Sequence, residues 1–581
     1  MTLRSKVRYD WPTGRADLIA GVTVAAVALP ESIAYALIAG VDPKYGVYSA
    51  IVVTAIAAIF GSSSHLINGP TSAISLLVFS SLAFIDQDNR SVLFESLFIL
   101  GVLVGIIQIL IAVFRLGDLT RYISESVILG FIAAAAVQLV ISQIPHVLGV
   151  GKKGKGSTNV LHRLYITVFH GDAVNYRAII LALTAVLAAI LFRRIVNRFA
   201  LPHVDLLLVL ITGGLVSFAL GWSTPNSHGR TAVELAAKIQ PSLPGFHIPD
   251  ITPGTLGQLG SGAFAVAFIG LLEALSIAKS IAHQTQQKVD YNRQILAEGL
   301  SNLAGGFFQS VPGSGSLTRS AINYQAGART RFSGVVAAAA VAVALLLFGP
   351  LLAYIPEAAL SGLLLVIAYR LVDFRRLRMT LRASRVDAAV LTATFVTGIW
   401  LDLDKAVLLG VALSVILFVP RAAKLQAAEL TVSDEGVVRE RTANDAPDQE
   451  IAICDLEGEL FFGAVPELDK YLDALHQRIQ RPETHIVILR LKRVRHPDAA
   501  TIERIVEFLK AETDGGATIL LAGVRPDLLE ILNNVGLTDW FPPDQIFPEQ
   551  EQNHSATLTA VRFARERLAI AKDDESLYYL V

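Results

Sequence analysis

Long blocks of hydrophobic residues, broken by short polar stretches, fill the chain from about residue 15 to about residue 425. Fourteen blocks can be placed, near 17–38, 44–60, 70–85, 93–114, 124–143, 178–199, 203–222, 261–282, 292–308, 316–325, 331–348, 350–370, 387–402 and 404–422. A helix crossing a bilayer needs about 20 mostly apolar residues, so the pattern predicts an α-helical polytopic membrane protein. The blocks starting near 70 and 316 are short and open on glycine, proline and serine. Lipid offers no partner to a free backbone group or a charge. Such stretches must therefore be enclosed by protein or line a cavity.

These two blocks occupy matching places in two halves of the chain. "LPESIAYA" (29–36) carries Glu31, and Pro70 of "INGPTSAIS" follows 39 residues later. "LLEALSIA" (271–278) carries Glu273, and Ser316 of "PGSGSLTRS" follows 43 residues later. Each half thus offers a helix with an acid, a second helix, and a glycine break opening a half-helix. Seven segments per half is an odd number, so the second half enters the membrane inverted. Short, interrupted segments at corresponding positions of an inverted repeat point to a transport site. The repeats are placed at about 10–222 and 255–425.

The pattern changes after Arg421. Residues 426–449 read as a polar linker between a membrane region, 1–425, and a soluble domain, 450–575. In the latter, "EIAICDLEGELFF", "HIVILRLKRV" and "ATILLAGV" read as strands. "DAATIERIVEFLK", "PDLLEILNNVG" and "SATLTAVRFARERLAIAK" read as helices, and the alternation predicts a compact α/β domain.

Composition supports the division. The 581 residues are 53% hydrophobic and 17% charged, against about 25% charged in soluble domains. A net charge of −1 argues against a nucleic-acid partner. One cysteine, Cys454, excludes an intrachain disulfide, and 12 scattered histidines without paired-ligand spacing give no reason to expect a metal site. No signal-peptide pattern precedes the first apolar block. Lysine and arginine favour cytoplasmic loops. Arg115, Arg121, Arg193, Arg194, Arg198, Lys288, Arg293, Arg329 and Arg331 lie in alternate loops, with the densest cluster between Arg370 and Arg385. Both termini are therefore expected in the cytoplasm. Lys152, Lys153 and Lys155, in an external loop, run against this rule.

Candidate chemistry concentrates at the two breaks. If Thr71–Ser72 and Ser316–Leu317 open helices that face each other, their free N–H groups converge. Each helix start acts as about +0.5 charge and attracts an anion. The alternative is glycine serving close helix packing. Arg319 is costly at membrane depth, and completes an anion site, neutralises Glu273, or snorkels to the surface. Glu273, among apolar neighbours, suits a proton carrier or a counter-charge. Glu31 shares a helix face with Tyr35 and lines the same cavity. Glu298, Gln138 and Cys454 read as structural.

"LPESIAYALIAGVDPKYGVYSA", "INGPTSA" and "VPGSGSLTRSAINYQAGARTRFSG" together closely resemble the sulfate permease (SulP) family of anion transporters, and the C-terminal region resembles that family's STAS domain. The resemblance spans about 10–570. It implies fourteen transmembrane segments in a seven-plus-seven inverted repeat, split into core and gate domains. It further implies an elevator-like movement, a homodimer, and transport rather than catalysis. By position, the anion would meet Glu31 and Tyr35, the first half-helix at Pro70, Thr71, Ser72 and Ala73, and the second at Ser316, Leu317, Thr318 and Arg319. Glu273 matches the acid associated with cation or proton coupling.

Two departures matter. Many relatives carry glutamine in place of Glu31, and a sodium site lacks hydroxyls at Ile277 and Leu317. The expectation is therefore a proton-coupled anion symporter, for sulfate first, without cofactor, metal or sodium. Bicarbonate, a C4-dicarboxylate, or an uncoupled channel are the alternatives, and a membrane-anchored sensor is a further one. The setting would be a bacterial inner membrane. In the STAS region Ala500 replaces the family's phosphorylatable hydroxyl, leaving Thr501 as a substitute. The domain is read as a scaffold that could bind a cytoplasmic partner.

Overall fold

A computed structural model of the chain describes residues 9–82, 85, 89–116, 124–150, 160–169, 173–199, 205–224, 231–235, 242–352, 354–401, 403–432, 437–442, 450–481, 484–549, 556–568 and 578–579. The chain forms two compact units, residues 1–414 and 415–581.

The helical unit opens with α1 (Trp11–Ile38), α2 (Pro43–Phe60), the short strand β1 (Asn68–Gly69), α3 (Ser72–Ser81) and α4 (Arg90–Val113). α5 (Glu125–Leu148), α6 (Val160–Phe169), α7 (Tyr176–Phe199) and α8 (Asp205–Ala219) follow. The second half repeats the order with α9 (Pro253–Thr285), α10 (Tyr291–Phe307), β2 (Ser314–Gly315), α11 (Leu317–Gln325) and α12 (Phe332–Leu352). It ends with α13 (Glu357–Leu371), α14 (Phe374–Ala383), α15 (Arg385–Trp400) and α16 (Leu403–Ala422). Each of the fourteen expected segments coincides with a helix. By length and composition alone, eight of the described helices can cross a bilayer.

Two helices lie outside the fourteen. α14 is the arginine-rich stretch that reads as a loop; it is strongly two-faced and none of its residues is buried. Of the external lysines, Lys152, Lys153 and Lys155 fall outside the described residues, as does Arg121.

Packing sorts the helices into two groups. A core group joins α1, α2, α3, α4, α9, α10, α11 and α12, and a gate group joins α5, α7, α8, α13 and α15. Within the core group α4 and α10 cross through glycines. A Cβ on Gly105 would lie 2.4 Å from the backbone nitrogen of Leu303, and one on Gly299 2.8 Å from that of Ile109. Close packing through small residues is how membrane helices gain contact where lipid supplies no hydrophobic drive.

The second unit is built on a seven-stranded sheet, and here the linker expectation is corrected. β3 (Gln426–Val432) and β4 (Val437–Glu440) fall inside residues 426–449, form an antiparallel hairpin, and pair through β3 with β5 (Ile451–Glu459). The alternation in "QAAELTV" is too short and polar to stand out, and only pairing against β5 reveals a strand. α17 (Val465–Ile479), β6 (Ile486–Arg495), α18 (Ala499–Asp514), β7 (Thr518–Val524), α19 (Pro526–Asn534), β8 (Ile546–Pro548), α20 (Ala556–Arg567) and β9 (Tyr578–Tyr579) complete it. The strand order is β8-β7-β6-β5-β3-β4-β9, with β5 to β8 parallel.

Because strand side chains alternate faces, Val487, Leu489, Ile519 and Leu521 pack under α17, α18 and α19. Ile486, Ile488 and Leu520 pack under α20. Cys454 sits half-buried at the edge of the first cluster, where burial pushes its thiol up to about 12.

Thr501 is not the expected substitute for a phosphorylatable hydroxyl. It is fully buried, donating to the Leu460 carbonyl at 2.9 Å and sharing a capping box with Asp498.

Candidate functional site

The two glycine breaks meet. β1 and β2 pair antiparallel, Asn68 opposite Gly315 and Gly69 opposite Ser314, and each strand runs straight into a short helix. Since the strands run in opposite directions, α3 and α11 leave the pair in opposite directions with their starts adjacent. The ten residues of α3 and nine of α11 span about 15 and 14 Å, half the hydrocarbon thickness. Thr71 caps α3 by accepting from the Ile74 N–H, and Ser316 caps α11 by accepting from the Arg319 N–H, both at 3.4 Å. The remaining first-turn N–H groups have no acceptor within their helices.

Arg319 lies behind the pair and is completely buried. Its Nη2 donates to the Pro70 carbonyl at 2.7 Å, and its Nε is 3.7 Å from Glu31 Oε2. Nε, Nη1 and that Glu31 oxygen make no hydrogen bond within the protein. Glycine at position 69 leaves room for the guanidinium. A Cβ there would come within 2.6 Å of Nη1, and the backbone φ of +140° disfavours any side chain. Arg319 does not neutralise Glu273 as the sequence suggested; the carboxylate beside it is Glu31, which sequence reasoning had not paired with it. Glu273 instead accepts from the Thr71 hydroxyl at 2.9 Å, so the cap of α3 is joined directly to the acid on α9.

In front of the half-helices lies a cavity of about 380 Å³. Glu31 and Tyr35 of α1, Ser72 of α3, and Leu317 and Thr318 of α11 line it, together with Ala321, Ile322 and Gln325. Five of the expected contact residues therefore share one wall. The others stand behind it: Thr71 and Ser316 cap their helices, Pro70 holds Arg319, and Ala73 packs into the hydrophobic core. Glu273 is set back from the cavity, bonded to Thr71 behind the same wall.

The opposite wall comes from the gate group, and sequence reasoning missed it. Arg193 of α7, Asp205 of α8, and Ile367, Arg370 and Leu371 of α13 face the half-helices. Asp205 is buried and accepts from Arg370 at 3.1 Å, with Arg193 at 3.7 Å. Arg193 and Arg370 had a ready reading as loop charges that set orientation. The available signal was Asp205, an acid at the head of an apolar run, which needs a cationic partner once buried.

The residues read as structural hold that role. Glu298 accepts from Asn68 at 2.5 Å and from Gln294 at 3.1 Å, and Gln138 donates to the Gly398 carbonyl. A second cavity of about 790 Å³, between α1, α8 and α12, is lined almost wholly by apolar residues such as Val22, Leu29, Ile211, Phe218 and Phe348. It offers no charge to an anion.

This arrangement can be compared with known proteins. The signature of the Sulfate permease family matches residues 15–394. The chain belongs to the sulfate permease family. A STAS domain signature matches residues 444–553, within the second unit. Sulfate transporter 4.1, chloroplastic, of Arabidopsis thaliana is 27% identical over 554 residues, covering 92% of this chain and 79% of that one. The sodium-independent sulfate anion transporter of Bos taurus is 27% identical over 567 residues, covering 91% and 87%. The fold is that of murine Solute Carrier 26 family member A9, an anion transporter whose inward-facing structure superposes with a TM-score of 0.82 at 19% identity, covering 97% of this chain and 92% of that one. This sulfate permease family member is thus an integral membrane protein of an anion-transporting family.

Proposed function

We propose that the protein is a proton-coupled symporter of a small oxyanion, sulfate first, working by an elevator-type movement of the core group against the gate group. The observation carrying this reading is the cavity walled on one side by two capped half-helix starts and on the other by Arg193 and Arg370. Ser72 and Thr318 supply hydroxyl donors, and the helix starts supply oriented N–H groups, which together suit tetrahedral oxyanions. Sulfate is the activity named for the relatives above.

Electrostatics supports coupling to protons. Arg193, Arg319 and Arg370 face three carboxylates, Glu31, Asp205 and Glu273, in the cavity or directly behind it. Arriving anions then meet no excess of positive charge. Each proton taken up by Glu31 or Glu273 adds one, so anion and proton favour each other's binding, and by linkage the effect is reciprocal. Glu273 is the better carrier because it is held one hydroxyl from the half-helix start and leaves the anion wall free. Bicarbonate or a C4-dicarboxylate would meet the same donors. The STAS domain is read as a scaffold for a cytoplasmic partner, the assembly as a homodimer, and the setting as a bacterial inner membrane with both termini inside.

Uptake of labelled sulfate into proteoliposomes, with and without an inward-directed proton gradient, tests the proposal. Accumulation above equilibrium that collapses with a protonophore is expected. Equal flux under both conditions would indicate an uncoupled channel, and no flux of any anion in a competition panel would favour a sensor.

A further inference from the structure

We propose that His146, Glu234 and Glu357 bind a divalent transition-metal ion of the zinc class, at the end of the gate group remote from the anion cavity. No spacing in the chain suggests this, since the three residues are 88 and 123 positions apart. Folding brings them together from the last turn of α5, the 231–235 segment and the first residue of α13. One ligand atom from each lies within 4.8 Å of the other two, and His146 Nδ1 is 3.1 Å from a Glu357 oxygen.

The distances are those a metal shell can accept. Zinc holds nitrogen and oxygen ligands at about 2.0–2.2 Å, which sets neighbouring ligand atoms about 3.3–3.5 Å apart in a tetrahedral shell. The His146–Glu357 pair already has nearly that separation. The exposed Glu234 side chain, with its ligand atom within 4.8 Å of the other two, swings inward to complete three ligands with a fourth position open.

The backbone carrying the two glutamates is fixed independently of their side chains. The Glu357 N–H donates to the Glu234 carbonyl at 3.0 Å, Leu235 bridges to Pro356, and Asn175 donates to the Ala232 carbonyl at 2.9 Å. An imidazole in the set favours zinc, copper, iron or nickel over magnesium and calcium, which prefer all-oxygen shells. Bound there, the ion would tie α5, the connector and α13 together. Arg370 stands 13 residues further along α13, about 20 Å away, so the site is separate from the anion cavity.

The test uses tag-free, full-length protein in detergent, stripped with chelator and titrated with zinc chloride against a chromophoric competitor, with magnesium chloride in parallel. Saturable zinc binding and a raised thermal midpoint are expected, with no matching response to magnesium. Glu234→Gln should weaken zinc at least about tenfold, the lower end of the loss seen when even a supporting group of a metal ligand is removed. Glu234 is exposed, so this variant does not threaten folding, and His146→Ala should show the same loss. Absence of saturable zinc binding, equal response to magnesium, or unchanged affinity in both variants would overturn the proposal.

Discussion

Replacing Arg319 by methionine keeps the length and apolar body of the side chain but removes the charge that sits beside Glu31. Both groups are buried, with side-chain exposures of 0% and 6%, so solvent screening discounts the interaction little. At the observed 3.7 Å, two unit charges in an effective dielectric of about 20 attract by about 4–5 kcal/mol. That agrees with the roughly 3–5 kcal/mol lost when one partner of a buried pair is removed. The hydrogen bond to the Pro70 carbonyl, about 1.5–3 kcal/mol for a charged donor, is lost as well.

Arg319→Met should therefore destabilise strongly, and adding Glu31→Gln should restore part of the loss, because no uncompensated carboxylate then remains. The single variants and the double variant, compared by thermal denaturation of the full chain in detergent, form a double-mutant cycle. A recovery of about 2 kcal/mol corresponds to about 1.5–2 °C of midpoint for a chain of this size. A double variant no more stable than Arg319→Met, or Arg319→Met melting with the wild type, would refute the pairing.

Glu273→Gln should abolish uptake against a gradient while leaving anion-induced thermal stabilisation intact; normal accumulation would remove Glu273 from the coupling. Asp205→Asn should free Arg370 and Arg193 toward the cavity and tighten anion binding about fivefold, equivalent to about 1 kcal/mol for one charge acting across a solvated space, read by anion-dependent thermal shift. In the STAS unit, Asp498→Ala should cost about 1–2 kcal/mol through loss of the α18 cap. Burial pushes the Asp498 carboxyl up, but hydrogen bonds from Thr501 and from the Phe462 N–H outweigh it and hold the group below the ordinary aspartate range. A lowered value in the folded state means stability that is present above the ordinary range and lost as pH falls through the lowered value. The difference between wild type and Asp498→Ala, measured by thermal melts, should accordingly narrow at strongly acidic pH.

Much of the site was legible because membrane burial makes polar residues conspicuous. Glu31, Glu273, Arg319 and the two glycine breaks stand out against apolar runs, and each occupies or backs the wall of one cavity. Arg193 and Arg370 escaped because a cation near the end of an apolar block looks the same whether it marks orientation or faces a cavity. The strands at 426–432 and 437–440 escaped for a related reason, since their signal is a partner rather than a pattern.

The sequence by itself determined the fourteen membrane segments, the repeat, the position of both half-helix starts and the α/β character of the second domain, because these follow from local apolar periodicity and from glycine and serine at the breaks. Only the tertiary structure decided who pairs with whom. It set Arg319 against Glu31 rather than Glu273, put Asp205 between two arginines across the cavity, and gathered His146, Glu234 and Glu357 from distant segments. Charges act through space over a few ångströms. Positions along a chain say which residues must find a partner, and only the packing of helices says which one they find.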